Sequence, residues 1–242
     1  LRYKSPKRSS LTAERIKALF WRGSQRFCTV CKSHVRSFRP YGHVKRHDAK
    51  CPVCGALERH RLTWTFFEQC TDLFNDAPKR MLHIGPEPTF EKRFRSRPYL
   101  DYLTADHQDP SADCSMDITA IQFPDNEFDV IHCSHVLEHV QDDLKAMREL
   151  SRVLRPSGWA TILVPVIAER TFDDPSVTDP ETRAKLFGQW DHVRAYGKDF
   201  VDRLASQGLN ASVILASDLL SSVSERERAQ FKSEQLFYCR KA

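Results

Sequence analysis

FDVIHCSHVLEHV, residues 128–140, admits two readings that lead to different folds. In the first, His135, Glu138 and His139 form H-x-x-E-H on one helix face, where two imidazoles grip zinc and the carboxylate activates water. In the second, FDVIHCS (128–134) is a buried strand that runs into an amphipathic helix. The residues that follow favour the second. Leu137, Val140, Leu144, Met147, Leu150 and Leu154 step by three and four, as the apolar stripe of a helix packed on a sheet does. Pro156-Ser157-Gly158 ends that helix, and WATILVPV (159–166) reads as the next strand. No third ligand for the two histidines is marked by a motif, so the metal pattern is read as a coincidence of spacing.

Working outward, the same alternation continues. MLHIG (81–85) reads as a buried strand, PTFEKRFR (88–95) as a helix and YLTAD (102–106) as a strand ending in an acid. DFVDRLASQG (199–208) reads as a helix closed by Gly208. SVILA (212–216) and QLFYCRK (235–241) read as two last strands, paired antiparallel. The polar stretch AERTFDDPSVTDPETRAK (168–185) has no clear period and reads as a long loop or lid. This pattern predicts an α/β chain with a doubly wound, mostly parallel sheet. Ligands in such sheets sit at the carboxyl ends of the strands, where Gly85, Asp106 and Ser134 fall.

The front of the chain has a different chemistry. Cys28-Thr29-Val30-Cys31 and Cys51-Pro52-Val53-Cys54 are two C-x2-C pairs, and two such pairs complete a tetrahedral site for structural zinc. Gly55 suits the tight turn after the second pair. Four thiolates leave no open position for water, so the metal's role there is structural. His34, His43, His47 and His60 lie nearby; any of them could replace a cysteine, but the two complete pairs make that unnecessary, and most read as exposed loop residues or phosphate contacts. Residues 1–60 hold 15 Lys and Arg against 3 Asp and Glu, whereas the whole chain is only +5. A basic head on an acidic body suggests an anionic partner such as RNA or a phosphorylated glycan, with Lys45, Arg46, Lys50 and Tyr41 as the contacts. The expected organisation is a zinc module over 1–60, a connecting helix over 61–78 and an α/β body over 79–242. No apolar run reaches the ~20 residues that cross a bilayer, and LRYKSPKRSS (1–10) lacks the apolar core of a secretory signal. A cytoplasmic location is the default expectation.

MLHIGPEP (81–88), YLTAD (102–106), CSMDITAIQFPDNEFDVIHCSHVLEHV (114–140) and MRELSRVLRPSGWATILVP (147–165) together resemble class I S-adenosylmethionine-dependent methyltransferases of the type 11 kind. CPVCGALERHR (51–61) is similar to a subgroup with an amino-terminal zinc knuckle. The resemblance implies a seven-stranded Rossmann-like sheet and an S-adenosylmethionine site. It implies that Gly85, with Glu87 in the same loop, meets the methionine part, and that Asp106 accepts from the ribose hydroxyls. Asp117 then receives the adenine amino group, Ile118 supplies backbone contact, and Ser134 and His135 line the methyl-donor side. The turn Gly85-Pro86-Glu87-Pro88 departs from the family's glycine-rich pattern and is stiffer and poorer in N–H donors.

A hydroxyl acceptor needs a base, and His192, His135 and His139 are the candidates. His192 lies in FGQWDHVRAYGKDF (187–200), where Trp190, Asp191, Arg194 and Tyr196 are candidate acceptor-binding residues and Arg194 would hold an anionic group. The leading expectation is methyl transfer to a small molecule or glycan. The alternatives are an RNA methyltransferase that grips phosphates with the zinc module, and a non-catalytic zinc-dependent binding protein.

Overall fold

The computed structural model describes residues 11–42, 45–219 and 235–242. His43 lies outside them. The first elements are α1 (Leu11–Phe20), β1 (Arg22–Cys28), β2 (Ser33–Val35), β3 (Arg39–Tyr41), β4 (Arg46–Lys50) and α2 (Glu58–Cys70). Then come β5 (Lys79–Ile84), α3 (Pro88–Phe94), β6 (Leu100–Asp106), β7 (Cys114–Ser115), β8 (Phe128–Ser134), α4 (Asp143–Val153) and β9 (Leu154–Leu163). The chain continues through β10 (Val166–Ala168), β11 (Phe172–Asp173), α5 (Pro180–Phe187), β12 (Arg194–Gly197), α6 (Phe200–Ser206), β13 (Leu209–Leu215), α7 (Ala216–Leu219) and β14 (Gln235–Lys241). It divides into two compact units. Among the described residues, one takes in 11–42, 45–75, 87–93 and 215–219; the other takes in 76–86, 94–214 and 235–242.

In the first unit, β1 pairs antiparallel with β2, and β3 with β4. The first cysteine pair lies at the β1–β2 turn, and the second directly follows β4. The stretch expected to connect module and body is helical only as far as Cys70, and α2 is part of this unit. Its Trp64 and Phe67 pack with Phe90 of α3, the Trp64 and Phe90 rings stacking 5.8 Å apart.

The second unit is built on a seven-stranded sheet of order β13-β14-β9-β8-β5-β6-β7. Strands β5 to β9 run parallel, and β14 pairs antiparallel with β9. β5 lies between β6 and β8, so the chain order reverses there, and the carboxyl ends of these three strands open on the crevice where such sheets bind ligands. β8 is buried along nearly its whole length because strands of a parallel sheet are covered on both faces. Ala146, Met147, Leu150 and Val153 of α4 join Leu82, Ile84, Ile131, Cys133 and Ile162 of the sheet in one core.

Three expectations are corrected. The helix expected from Leu137 begins only at Asp143; Leu137–His139 form a single 3-10 turn, and Val140 is extended. His135 and His139 therefore do not share an α-helical face. The apolar step pattern is real, but Leu137 and Val140 follow a left-handed backbone at His135 (φ 55°) that starts a turn, and Asp142 supplies the helix cap by accepting from Lys145 N–H at 2.9 Å. Leu154, at the end of the same pattern, starts β9 instead; it pairs with Phe128, whereas the next pair, Trp159 with Val130, leaves Arg155–Gly158 as a bulge. The polar stretch expected as a loop contains α5. Asp179 caps it through Thr182 N–H at 2.8 Å, Pro180 takes the first turn, and Gly188 closes it at φ 87°. That Asp-Pro start is legible in the sequence as a helix signal.

The turn before α4 is held by a buried arginine. Arg194 of β12 donates to the carbonyls of Leu137, Val140 and Gln141, with 2.9 Å to the first and 2.7 Å to the last. Asp143 lies 3.7 Å from the guanidinium and also accepts from Tyr196 Oη at 2.8 Å and from Arg203 at 2.7 Å. Removing the guanidinium takes a donor from three carbonyls and one of two arginine charges from the buried Asp143 carboxylate. Arg194→Met is expected to cost about 3–5 kcal/mol, read by chemical denaturation of the full chain.

Candidate functional site

The four cysteines converge. Sγ of Cys28 is 3.6 Å from that of Cys54, and Sγ of Cys31 is 3.8 Å from that of Cys51. A tetrahedron with metal–sulfur bonds of ~2.3 Å has edges of ~3.8 Å, so the cluster has the size of a zinc site. The turns that bring the thiols together are tight: Lys32 N–H donates to Cys28 O at 2.8 Å, and Gly55 N–H donates to Cys51 O at 2.9 Å. Gly55 has a φ of 83°, a left-handed conformation that glycine adopts without strain. Hydrogen bonds from the other three thiols hold Cys31 far below the usual thiol range, whereas burial pushes Cys28 up. Arg61 is buried beside the cluster, donating to Ala49 O at 2.9 Å and Ala56 O at 3.1 Å, and its charge offsets that of the thiolates.

His60 is buried in α2. Its Nδ1 accepts from Leu57 N–H at 3.0 Å, so Nε2 carries the proton and donates to Glu87 Oε1 at 2.7 Å. Arg59 reaches the same oxygen at 3.4 Å. Glu87, expected on the cofactor loop, therefore has its carboxylate held within the first unit.

In the second unit, the other residues expected around S-adenosylmethionine lie at four neighbouring strand ends. Gly85 follows β5 at φ 62°, and a Cβ there would stand 2.8 Å from Val136 Cγ2. Its N–H already donates to Ala105 O at 3.0 Å, so this turn offers shape rather than donors. Asp106 closes β6; its Oδ1 accepts from Gln108 and Asp109 N–H at 2.7 and 2.8 Å, which fixes the carboxylate and leaves Oδ2 as the second acceptor. Asp117 is exposed, and its Oδ1 accepts from both the N–H and the hydroxyl of Thr119, which lower its pKa. Ile118 is buried beneath it. Ser134 ends β8, buried, and His135 N–H donates to Leu163 O at 2.9 Å.

Glu138 is the residue that sequence reasoning left out of the site. It is fully buried (0% exposed), and its Oε1 accepts from His135 Nδ1 at 2.9 Å. Burial opposes its ionisation, but the His135 hydrogen bond and the nearby His135 and His139 charges outweigh that and hold the carboxyl below the usual range. Its signal was a lone carboxylate between Leu137 and the histidine in an otherwise apolar L-E-H-V run. His192 is buried, and its Nδ1–H donates to Phe187 O at 2.8 Å. Burial pushes its pKa down. The His139 and His192 rings meet edge to face at 4.8 Å, and Asp191 lies 3.5 Å from His139 Nδ1. Trp190 is exposed (55%). Arg194 and Tyr196, expected to bind the acceptor, are instead buried among backbone carbonyls and Asp143, where neither can meet an incoming anion.

The seven-stranded sheet is that of a class I methyltransferase fold. Residues 88–162 match the methyltransferase domain family. An uncharacterized methyltransferase of Schizosaccharomyces pombe is 28% identical over 43% of this chain and 41% of its own length. The ubiquinone/menaquinone biosynthesis C-methyltransferase of Bdellovibrio bacteriovorus is 43% identical over 39% of this chain and 30% of its own. The chain thus matches less than half the length of these relatives. An S-adenosylmethionine-dependent methyltransferase from Mesorhizobium loti shares the fold with a TM-score of 0.50 and 14% identity, over 74% of this chain and 98% of that one. A region similar to the methyltransferase domain family thus stands together with a four-cysteine cluster near the N-terminus. No helix among the described residues is long and apolar enough to cross a membrane.

His60 generates a pH prediction. Burial depresses its pKa in the folded chain, so the unfolded chain binds the additional proton first as pH falls through about 6.5. Stability contributed by the neutral ring is complete above that value and declines below it. Denaturation of zinc-saturated protein between pH 7 and 5 is expected to show a shallower decline in His60→Gln than in the unaltered chain.

Proposed function

We propose that the chain transfers a methyl group from S-adenosylmethionine to a hydroxyl of a small molecule or glycan. The observation that carries this reading is the pair His135–Glu138 beside the strand ends of the cofactor crevice. Glu138 accepts the Nδ1 proton, which leaves Nε2 of a half-exposed imidazole as the proton acceptor. His135 holds a left-handed backbone (φ 55°), costly for a side-chain-bearing residue, and such strain gathers at functional positions. This pair takes precedence over His192 as the base, because the Nδ1–H of His192 faces a carbonyl rather than a carboxylate.

Bound S-adenosylmethionine supplies an electrophilic methyl on a sulfonium. The chain's own tasks are to orient the acceptor, exclude water and take its proton. Gly85 lets the backbone turn under the cofactor, Asp106 receives the ribose through Oδ2, and Asp117 and Ile118 flank the adenine. Trp190 is the exposed aromatic nearest the histidines in sequence and would cover the acceptor. The carbon acceptor named for the Bdellovibrio relative must also shed a proton, a task the same pair could perform.

We assign Zn2+ to Cys28, Cys31, Cys51 and Cys54, where it would fasten the two hairpins. RNA binding is the lesser reading, because much of the basic charge has internal partners. Arg26 pairs with Asp48, Lys32 with Glu68 at 2.5 Å and Arg46 with Glu58 at 3.3 Å, and Lys50 lies over the Tyr41 ring at 4.9 Å.

Metal analysis of purified chain is expected to find zinc held by the cysteines, and Cys51→Ser to lose it. Calorimetry should detect S-adenosylmethionine binding that Asp106→Ala weakens; no heat with the unaltered chain would remove the enzyme reading. Labelled methyl should enter small molecules or glycans of an extract, and label in RNA would redirect the assignment to the basic module. With an acceptor in hand, His135→Ala should lower kcat about 10²–10⁴-fold while cofactor affinity is kept.

A further inference from the structure

The turn that failed to become a helix puts a different set of metal-ligating groups together. A carboxylate oxygen of Glu138 and one ring nitrogen each of His139 and His192 all lie within 4.8 Å of one another. Residue 192 is far away in sequence. It arrives because Val193 N–H donates to Glu138 O at 2.9 Å, just before Arg194 reaches the carbonyls on either side of His139.

Three features separate this group from an ordinary surface cluster. Glu138 is fully buried, yet its Oε2 has no hydrogen-bond partner, although a buried charged oxygen without one is costly. His192 donates its Nδ1 proton to Phe187 O, so its lone pair is on Nε2, the tautomer that a metal ligand needs. Asp191 lies 3.5 Å from His139 Nδ1 and is itself fixed by Gln189 Nε2 at 2.8 Å, the arrangement of a carboxylate that orients a ligating imidazole. His135 does the corresponding service on the other Glu138 oxygen.

We propose that Glu138, His139 and His192 form a site for a divalent transition cation of the zinc class. Two imidazoles and one carboxylate suit such a cation better than magnesium or calcium, which prefer all-oxygen ligands. Ligand bonds of ~2.0–2.2 Å need the donor atoms somewhat closer than their outer limit here, and rotation of the half-exposed His139 ring closes the difference. Three protein ligands leave a coordination position open, unlike the four cysteines. That position takes an oxygen ligand, and an acceptor hydroxyl held there would lose its proton more readily. This last role rests on the methyl-transfer reading; the metal site itself does not.

The test uses the full chain with the cysteine site already filled by zinc, titrated with Co2+ in the absence of S-adenosylmethionine. One further equivalent should bind and give visible d–d absorption without the near-ultraviolet thiolate-to-cobalt band that substitution at the cysteines would bring. His139→Ala, at a half-exposed ring, should weaken that binding by more than the roughly 10–100-fold that loss of an outer partner costs, and His192→Ala likewise. Absence of a further equivalent in the unaltered chain overturns the proposal, as does a cobalt spectrum and affinity unchanged in His139→Ala. Failure of cofactor binding or turnover would overturn the methyl-transfer reading and leave this result intact.

Discussion

Arg194 is the constraint on which the candidate site depends. Its guanidinium is buried and takes the carbonyls of Leu137, Val140 and Gln141, three acceptors that a continuous helix would have paired within itself. Once these carbonyls have an outside donor, the segment between β8 and α4 can stay a turn. Asp143 and Tyr196 hold the arginine and the start of α4 in one buried network, where every group is costly to leave unmatched. The turn in turn directs His135 and Glu138 toward each other and brings Val136 against Gly85.

The strand-end crevice and the histidine cluster are thereby positioned by the same few residues. Gly85 is shaped to pass close under Val136, and its single N–H continues the ladder to β6 rather than pointing at a ligand. With Pro86 next to it, this turn has little to offer an anion, whereas Asp106 and Asp117 hold side-chain acceptors at the neighbouring strand ends. Both are steadied by local amides through one oxygen. The four-cysteine unit follows an independent logic, in which tight turns after β1 and β4 aim thiols at one point and the buried Arg61 balances their charge.

Much of the architecture was legible because it rests on period and composition. The strand FDVIHCS, the acid ending YLTAD, the amphipathic core of α4 and the C-x2-C pairs all came from local pattern. Less of the candidate site was legible. Arg194 and Tyr196 look like binding groups in a polar sequence, and only burial reveals that they support the turn. His60 and Glu87 are 27 positions apart, and no periodicity links them. The helix α5 was hidden by the polarity of its stretch, although its Asp-Pro start was visible.

By itself the sequence determined that a zinc-sized cysteine cluster precedes an alternating α/β body, because metal-ligand spacing and apolar periodicity are properties of neighbouring residues. Only the tertiary structure decided the meaning of H-x-x-E-H. As local spacing it pairs His135 with His139; in the folded chain His135 leans on Glu138, and His139 meets His192 from 53 residues downstream. The physical reason is that a buried donor from β12 satisfied carbonyls that a helix would otherwise have paired, and no local pattern records where such a donor comes from.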